Sequence, residues 1–150
     1  MHDGLHASLT EQIIGCAMEV HRQLGPGLLE SIYESALCFE LRTAGMLFKR
    51  QIGVPLFYKG MLLSEHRPDL VVAEAVIVEV KAVDRLDEIH MAQMLTYLRV
   101  TGLHIGLILN FNSAVLKHGV RRVILCVTTL CLCVSVARRM ARRSARAKVR

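Results

Sequence analysis

Two acids and one lysine stand among apolar, β-branched residues in this chain of 150 residues. Asp69 precedes one apolar run, and Glu79 and Lys81 close another run ten residues later. Charged side chains are rarely buried unless they are paired or bind a metal. Because side chains alternate along a strand, Glu79 and Lys81 are expected on one face. If the two strands are neighbours, both carboxylates can hold one divalent cation, Mg²⁺ or Mn²⁺.

A phosphodiester is the substrate that this set of groups suits. The backbone carbonyl of Val80 can add a further metal ligand. A metal held here would polarise the phosphodiester and lower the pKa of the attacking water, while Lys81 would orient that water or stabilise the developing negative charge. The alternative is a salt-bridge cluster on a half-exposed strand, because an Asp followed by a Glu-x-Lys is a short and degenerate pattern.

Two further pairs of polar residues have helical spacing. Glu30 and Tyr33 lie three residues apart in the second predicted helix and face the same way. Gln93 and Tyr97, spaced i and i+4, share one face of the helix that follows the strand of Glu79. Singly, each is typical of an ordinary polar helix face. As a set they fit one active site.

The spacing of the apolar residues predicts nine elements in the order α-α-β-β-β-β-α-β-β. A capping box of Ser8 and Glu11 is expected to open the first helix, and Gly45 to cap the second. The predicted helices cover residues 9–24, 28–44 and 87–101, and the predicted strands cover residues 47–58 (interrupted near 53–55), 61–64, 68–73, 75–81, 105–109 and 120–126. This order indicates an α/β or α+β sandwich with a mixed central sheet.

One apolar stripe of each helix is expected to pack against its neighbours. The expected stripes are Ile13, Ala17, Val20 and Leu24 in the first helix; Leu29, Ile32, Ala36 and Phe39 in the second; and Ile89, Ala92, Leu95 and Leu98, with Met91 and Met94 alongside, in the third.

The positive charge is concentrated at the end of the chain. The net charge of +6 comes from 19 basic and 13 acidic residues. Residues 138–150 hold seven of the basic residues and no acid, so 12 basic and 13 acidic residues remain, a net of −1. We therefore expect a nearly neutral domain over residues 1–127 and a basic, disordered tail over residues 128–150. An anchor on anionic lipid, an arm against nucleic-acid phosphates, and a product of a shifted reading frame, which the Arg/Ala/Ser/Cys bias indicates, are the alternatives for this tail.

The five cysteines are odd in number and show no metal-binding spacing, so neither a disulfide framework nor a zinc site is expected. Cys16 and Cys38 are predicted to be small core residues. The first residues lack the pattern of a signal peptide, and a cytoplasmic location is the expectation.

Several motifs in succession resemble the GxxExxY protein family. They are Gly27-Leu28-Leu29-Glu30-Ser31-Ile32-Tyr33, Tyr58-Lys59-Gly60, Arg67-Pro68-Asp69-Leu70, Val78-Glu79-Val80-Lys81-Ala82-Val83, Ala92-Gln93-Met94-Leu95-Thr96-Tyr97-Leu98, Thr101-Gly102-Leu103 and Leu107-Ile108-Leu109-Asn110-Phe111. The resemblance covers about residues 10–127. That family is similar to the PD-(D/E)xK nuclease superfamily, which has a restriction-endonuclease-like αβββαβ sandwich as its core.

The resemblance implies a role for each candidate residue. Asp69 and Glu79 would be metal ligands, Glu30 would contribute to the metal site, and Lys81 would be the catalytic lysine. Gln93 and Tyr97 would form the Q-x3-Y element of RecB-like members. The implied function is a metal-dependent nuclease that hydrolyses DNA or RNA with Mg²⁺ or Mn²⁺. The alternative is a catalytically silent nuclease-fold module that binds nucleic acid or a protein partner; a membrane partner is not expected.

Overall fold

The structure is a computed structural model that describes residue 4 and residues 6–126. Four helices and seven strands lie in this part of the chain. They are α1 (Ala7–Leu24), α2 (Glu30–Thr43), β1 (Phe48–Arg50), β2 (Val54–Tyr58), β3 (Met61–His66), β4 (Leu70–Val72), β5 (Val76–Lys81), α3 (Glu88–Thr101), β6 (Ile105–Asn110), α4 (Leu116–Gly119) and β7 (Val120–Ile124). The predicted tail over residues 128–150 lies outside the described residues.

Five of the strands form one mixed sheet in the order β1-β4-β5-β6-β7, and β2 and β3 form a separate hairpin. β5 and β6 are parallel, and the other neighbours in the sheet are antiparallel. Parallel neighbours need a long crossover, which α3 supplies here. The predicted sandwich with a mixed central sheet is therefore confirmed. Every residue of β6, the strand parallel to β5, is buried.

Helices cover both faces of the sheet. α1 and α2 pack on one face, where Val76, Val78 and Val80 of β5 join the core. α3 packs on the other face, where Ile77 of β5 contributes to a second core cluster. Side chains alternate along a strand, so Glu79 and Lys81 lie on the same face of β5 as Ile77, which is the face that α3 covers.

The expected packing stripe of α2 is wrong. Leu29, Ile32 and Phe39 are exposed at 71%, 43% and 62%, whereas Tyr33 and Leu37 are fully buried. The buried stripe of this helix comprises Tyr33, Glu34, Leu37, Cys38 and Leu41. A phenol and a carboxylate can lie in such a stripe because their polar atoms are hydrogen-bonded.

The expected stripe of α3 is partly confirmed. Leu98 is buried as expected, with Met91 and Met94 alongside, and Tyr97 is also buried, but Ile89 is 72% exposed. In α1, Ile13, Ala17 and Val20 are buried as expected, but Leu24 is 41% exposed at the end of the helix. When long apolar side chains lie on two adjacent faces of a helix, tertiary packing determines which face is buried.

The expected capping box of α1 is also wrong. The helix begins at Ala7, and the Ser8 hydroxyl lies within it and accepts a hydrogen bond from Gln12. A capping box opens α3 instead, formed by Asp87 and His90. Gly45 has a φ of 74° and follows α2 as predicted, with the Met46 amide donating to the Leu41 carbonyl.

No helix among the described residues is long and apolar enough to cross a membrane. Cys38 is buried, and Cys16 is half-buried beside the same core, as expected of small core residues.

Candidate active site

Asp69 is joined to the Glu79-Val80 segment of β5 by reciprocal hydrogen bonds between main chain and side chain. The Asp69 amide donates to Glu79 Oε1 at 3.2 Å, and the Val80 amide donates to Asp69 Oδ2 at 2.8 Å. The pairing of β4 with β5 ends at Leu70 opposite Val78. Beyond that pair, the Asp69 carboxylate replaces a strand carbonyl as the acceptor for β5. The predicted convergence of the two carboxylates is present in the structure.

Lys81 lies on the same face of β5 as Glu79. Its Nζ is 3.1 Å from Glu79 Oε2, and the two side chains are 15% and 5% exposed. One ammonium therefore faces two carboxylates in a largely buried group. This is not the half-exposed salt-bridge cluster that the sequence left open as the alternative.

Burial makes both carboxyls weaker acids. The pKa of Glu79 is raised to about 7, first by its burial and then by the negative charge of Asp69. Burial is also the main cause of the raised pKa of Asp69. Burial opposes the charged form of Lys81, yet its pKa is raised because the negative charges of Glu79, Glu30 and Asp69 outweigh that effect. Negative charge exceeds positive charge at this site, which favours a bound cation.

Glu30 approaches the end of β5 from the other face of the sheet. As the first residue of α2, it accepts a hydrogen bond from the Ala82 amide at 3.0 Å. Its charge also contributes to the raised pKa of Lys81. The structure therefore brings Glu30 beside the site through the backbone that follows Lys81.

Gln93 and Tyr97 contact each other on α3. Gln93 Nε2 donates to the Tyr97 hydroxyl at 2.6 Å, and the ring of Tyr97 is 4% exposed. The pKa of Tyr97 is raised by burial first and by the charge of Glu79 second. The ring of His66 meets that of Tyr97 edge-on at 5.7 Å between centroids. These contacts place the pair on the side of the sheet that carries Glu79.

Two residues that the sequence did not single out hold Asp69 in position. Glu34 is 8% exposed and accepts hydrogen bonds from Arg50 at 2.9 Å and from Gln51 at 3.2 Å. The Gln51 side chain also donates to Asp69 Oδ1 at 3.1 Å, and its backbone amide donates to the Asp69 carbonyl at 3.0 Å. The sequence could have indicated Glu34, because it follows Glu30 by one helical turn. No sequence pattern indicates Gln51, which lies in an irregular segment with a φ of 48°.

Tyr33 of the Gly-x-x-Glu-x-x-Tyr motif has a structural role. Its hydroxyl donates to the Gly25 carbonyl and accepts from the Leu28 amide, while its ring stacks on Phe111 at 4.6 Å. Tyr33 thereby ties the loop before α2 to the core. This fixes the helix end that carries Glu30.

Asn110 is another buried polar residue that the sequence did not single out, and it is 3% exposed at the end of β6. Its side chain donates to the Val83 carbonyl at 2.8 Å and accepts from the Val83 amide at 3.1 Å. It holds the segment that leaves β5 after Lys81. The sequence could have indicated this residue, because Asn110 comes directly at the end of an apolar run that predicts a buried strand.

The carboxylates at this site suit a magnesium-type ion. Within residues 4 and 6–126, no three His, Cys, Asp or Glu side chains form a group that could hold a metal. Mg²⁺ is commonly held by only one or two carboxylates, together with waters and substrate phosphates. Asp69 and Glu79 provide two such carboxylates, and Asp69 adds to the rise in the pKa of Glu79 that burial causes first. The residues present therefore fit the metal.

The family model of the PD-(D/E)XK nuclease superfamily matches residues 7–123. The chain belongs to the PD-(D/E)XK nuclease superfamily, and its five-stranded mixed sheet flanked by helices is consistent with a restriction-endonuclease-like fold. Nucleases of this superfamily generally use divalent metals and act on nucleic acids. Neither a curated protein nor a solved structure matches the chain.

Proposed function

We propose that this protein is a metal-dependent nuclease that hydrolyses phosphodiester bonds of DNA or RNA with Mg²⁺ or Mn²⁺. The observation that carries the proposal is the pair of reciprocal hydrogen bonds between Asp69 and the β5 strand of Glu79, with Lys81 beside them. We place the chain in the GxxExxY family within the superfamily, on the motifs that begin at Gly27 and end at Phe111. A cytoplasmic location is part of the same proposal.

Asp69 and Glu79 would hold the metal through their carboxylates, with the Val80 carbonyl as a further ligand. Glu30 would contribute to the metal site from the end of β5, where it accepts a hydrogen bond from the Ala82 amide. When bound, the metal supplies Lewis acidity toward the phosphodiester and lowers the pKa of the attacking water. The hydrogen bonds that Asp69 receives from Val80 and Gln51 keep its carboxylate directed at this position. Such supporting contacts set the orientation of metal ligands.

Lys81 would act as an electrostatic group. Its raised pKa keeps it an ammonium at neutral pH, so it is a hydrogen-bond donor there and does not accept a proton. Within the described residues, the Lys81 ammonium donates one hydrogen bond, to Glu79 Oε2. Its remaining N–H groups can donate to the attacking water or to a phosphate oxygen on which negative charge develops.

Gln93 and Tyr97 would position the substrate from α3. The Tyr97 hydroxyl accepts a hydrogen bond from Gln93, which leaves its own O–H to donate. A phosphate oxygen is an acceptor that this donor can serve. The raised pKa of Tyr97 keeps the hydroxyl protonated for that contact at neutral pH.

Purified protein incubated with labelled DNA or RNA and Mg²⁺ or Mn²⁺ tests the proposal. We expect cleavage that EDTA abolishes, and a loss of about 100-fold or more in the variants Asp69→Asn and Lys81→Met. Lys49→Met is the matched control, because Lys49 forms an exposed ion pair with Glu74 at the β1 edge. Absence of cleavage by the unaltered protein, or equal cleavage by Lys81→Met, would refute the catalytic assignment.

A catalytically silent nuclease-fold module is the alternative outcome of the same experiment. Calorimetry with Mn²⁺ separates the two, since a module that keeps only the fold has no need of the ion. Metal binding that is lost in Asp69→Asn, together with cleavage, supports the nuclease.

A further inference from the structure

The β2–β3 hairpin exposes apolar side chains beside the candidate active site. Five large residues near its tip are each more than half exposed: Phe57 at 59%, Tyr58 at 56%, Met61 at 61%, Leu62 at 56% and Leu63 at 53%. The hairpin takes no part in the five-stranded sheet. A concentration of exposed apolar surface of this kind marks a site of interaction.

The base of the hairpin is fixed at the site. Val54 at its start is 6% exposed, and His66 at its end meets the ring of Tyr97 at 5.7 Å. Asp69 follows His66 by three residues. The hairpin therefore extends from the edge of the protein that carries the carboxylates, and a bound substrate would lie within its reach.

Lys59 places a positive charge at the tip of the hairpin, and its backbone has an unfavourable positive φ. Lys59 and Gly60 form the turn with φ values of 48° and 82°. Two-residue turns of this type prefer Asn-Gly or Gly-Gly, since other side chains are strained at positive φ. The Lys59 ammonium lies 5.5 Å from the centre of the Tyr58 ring. Glu65, the one acid of residues 54–67, is paired with Arg67 at 2.8 Å. The tip therefore presents a positive charge next to an aromatic ring.

The apolar surface of the tip has two sides. Phe57 pairs with Leu62, and Tyr58 pairs with Met61. Successive cross-strand pairs lie on opposite faces of a hairpin. A protein partner docked on one face would leave the other face in water. Two apolar faces with a cation at the end suit insertion between bases, whose planes bury both faces while a phosphate meets the ammonium.

We propose that the β2–β3 hairpin is a substrate-contacting arm that inserts between bases of the nucleic acid next to the cleaved bond. Phe57 and Tyr58 stack on unpaired or unstacked bases, and Lys59 contacts a phosphate. The inference rests on the proposed nuclease function and assigns to it a preference for single-stranded, nicked or distorted substrate, in which unstacking is least costly.

Binding in EDTA tests the arm without cleavage, using the full chain and a fluorescein-labelled single strand or its duplex. Lys59→Asn removes the charge and keeps a residue suited to the turn. We expect it to reduce the slope of log K against log salt by about 0.7–0.9. Tyr58→Ala is expected to weaken binding by about 5- to 100-fold. Fluorescence of 2-aminopurine in the oligonucleotide should rise on binding of the unaltered protein and stay low with Tyr58→Ala.

If the unaltered protein binds and both variants keep its affinity and salt slope, the hairpin is not a substrate-contacting arm. The proposed nuclease function would be unaffected by that result. A protein that neither binds nor cleaves any of these nucleic acids overturns both. Sedimentation distinguishes a contact between copies of the chain. If Leu62→Ser converts a dimer into a monomer while nucleic-acid affinity is unchanged, the apolar surface is a subunit interface and the arm is refuted.

Discussion

Gln51 holds Asp69 at two points: its side-chain amide donates to Oδ1 at 3.1 Å and its backbone amide donates to the carbonyl at 3.0 Å. The same side chain reaches the buried Glu34 at 3.2 Å. Helix α2 is thereby connected to the carboxylate that opens β4. Because Gln51 has a φ of 48°, its backbone conformation is strained for a residue other than glycine. A strained residue whose side chain and backbone both bond to a candidate site carboxylate supports a positioning role for that residue.

Replacement of this side chain separates positioning from folding. Gln51→Gly removes the bond to Asp69 Oδ1 but relieves the strain at positive φ. We expect metal affinity, measured by calorimetry with Mn²⁺, to fall by about 10- to 100-fold. The midpoint of urea unfolding should change little. Glycine is unsuitable for a control inside a helix. The neutral control is therefore Gln23→Met, at a glutamine whose side chain donates to Glu19 on the surface of α1. Equal metal affinities for Gln51→Gly and the unaltered protein would contradict the role.

The stability of the metal-free protein should depend on the proton of Glu79. Its pKa is about 7 in the folded state and 4.5 as the reference value, so the folded protein binds the extra proton between these two pH values. The free energy of unfolding should therefore fall as pH rises from about 4.5 to about 7, by on the order of 3 kcal/mol. Asp69, whose pKa is also raised, acts in the same direction. Urea unfolding in EDTA as a function of pH measures this, and Glu79→Gln should flatten the profile. A profile that is unchanged by Glu79→Gln would refute the shift.

Metal binding should show the opposite dependence on pH. Coordination needs the deprotonated carboxylate, so protons compete with the ion below the pKa of Glu79. We expect apparent Mn²⁺ affinity to fall by up to about tenfold for each unit of pH below about 7. Calorimetry in buffers of different ionisation enthalpy should register proton release at pH 6 and much less at pH 8. Proton release that is equal at both values would argue against Glu79 as a ligand.

The role of Glu30 can be decided with two substitutions. Glu30→Gln keeps an oxygen to accept the Ala82 amide but removes the charge, whereas Glu30→Ala removes both. If Glu30 is a metal ligand, both variants should lose metal affinity by about 10-fold or more. If it only holds the backbone after Lys81, Glu30→Gln should bind the metal normally. Calorimetry on the two variants distinguishes these results, and Glu40→Gln, later in the same helix, is the control.

Tyr33→Phe should destabilise the fold by about 1–2 kcal/mol, because the Gly25 carbonyl and the Leu28 amide lose their partner while the stacking on Phe111 is kept. Urea unfolding measures this change. Tyr58→Phe is the matched control, since Tyr58 is 56% exposed at the hairpin tip. A similar effect of the two substitutions would contradict the assigned role of Tyr33.

The sequence predicted the parts of the site that depend on regular geometry. Glu79 and Lys81 share a face because strand side chains alternate, and Asp69 meets them because its apolar run pairs with theirs. Tertiary packing decided the remainder. Both faces of α2 carry large apolar residues, so the helix sequence alone does not decide which face is buried. Packing against the neighbouring elements buries Leu37 and leaves Phe39 exposed. Gln51 reaches Asp69 only through an irregular segment with positive φ, and no periodic pattern reports that.

The short connection between β4 and β5 bears on the order in which the site is assembled. Asp69 and Glu79 are only ten residues apart, and the turn through Ala73 and Glu74 closes their hairpin. The strand that covers β5 on its other edge, β6, begins at Ile105. The two acids can thus meet while their surroundings are still wet and both are ordinary acids. Packing of α3 and β6 around β5 removes water from Glu79, and this burial is the main cause of its raised pKa, so completion of the fold is coupled to the proton on Glu79.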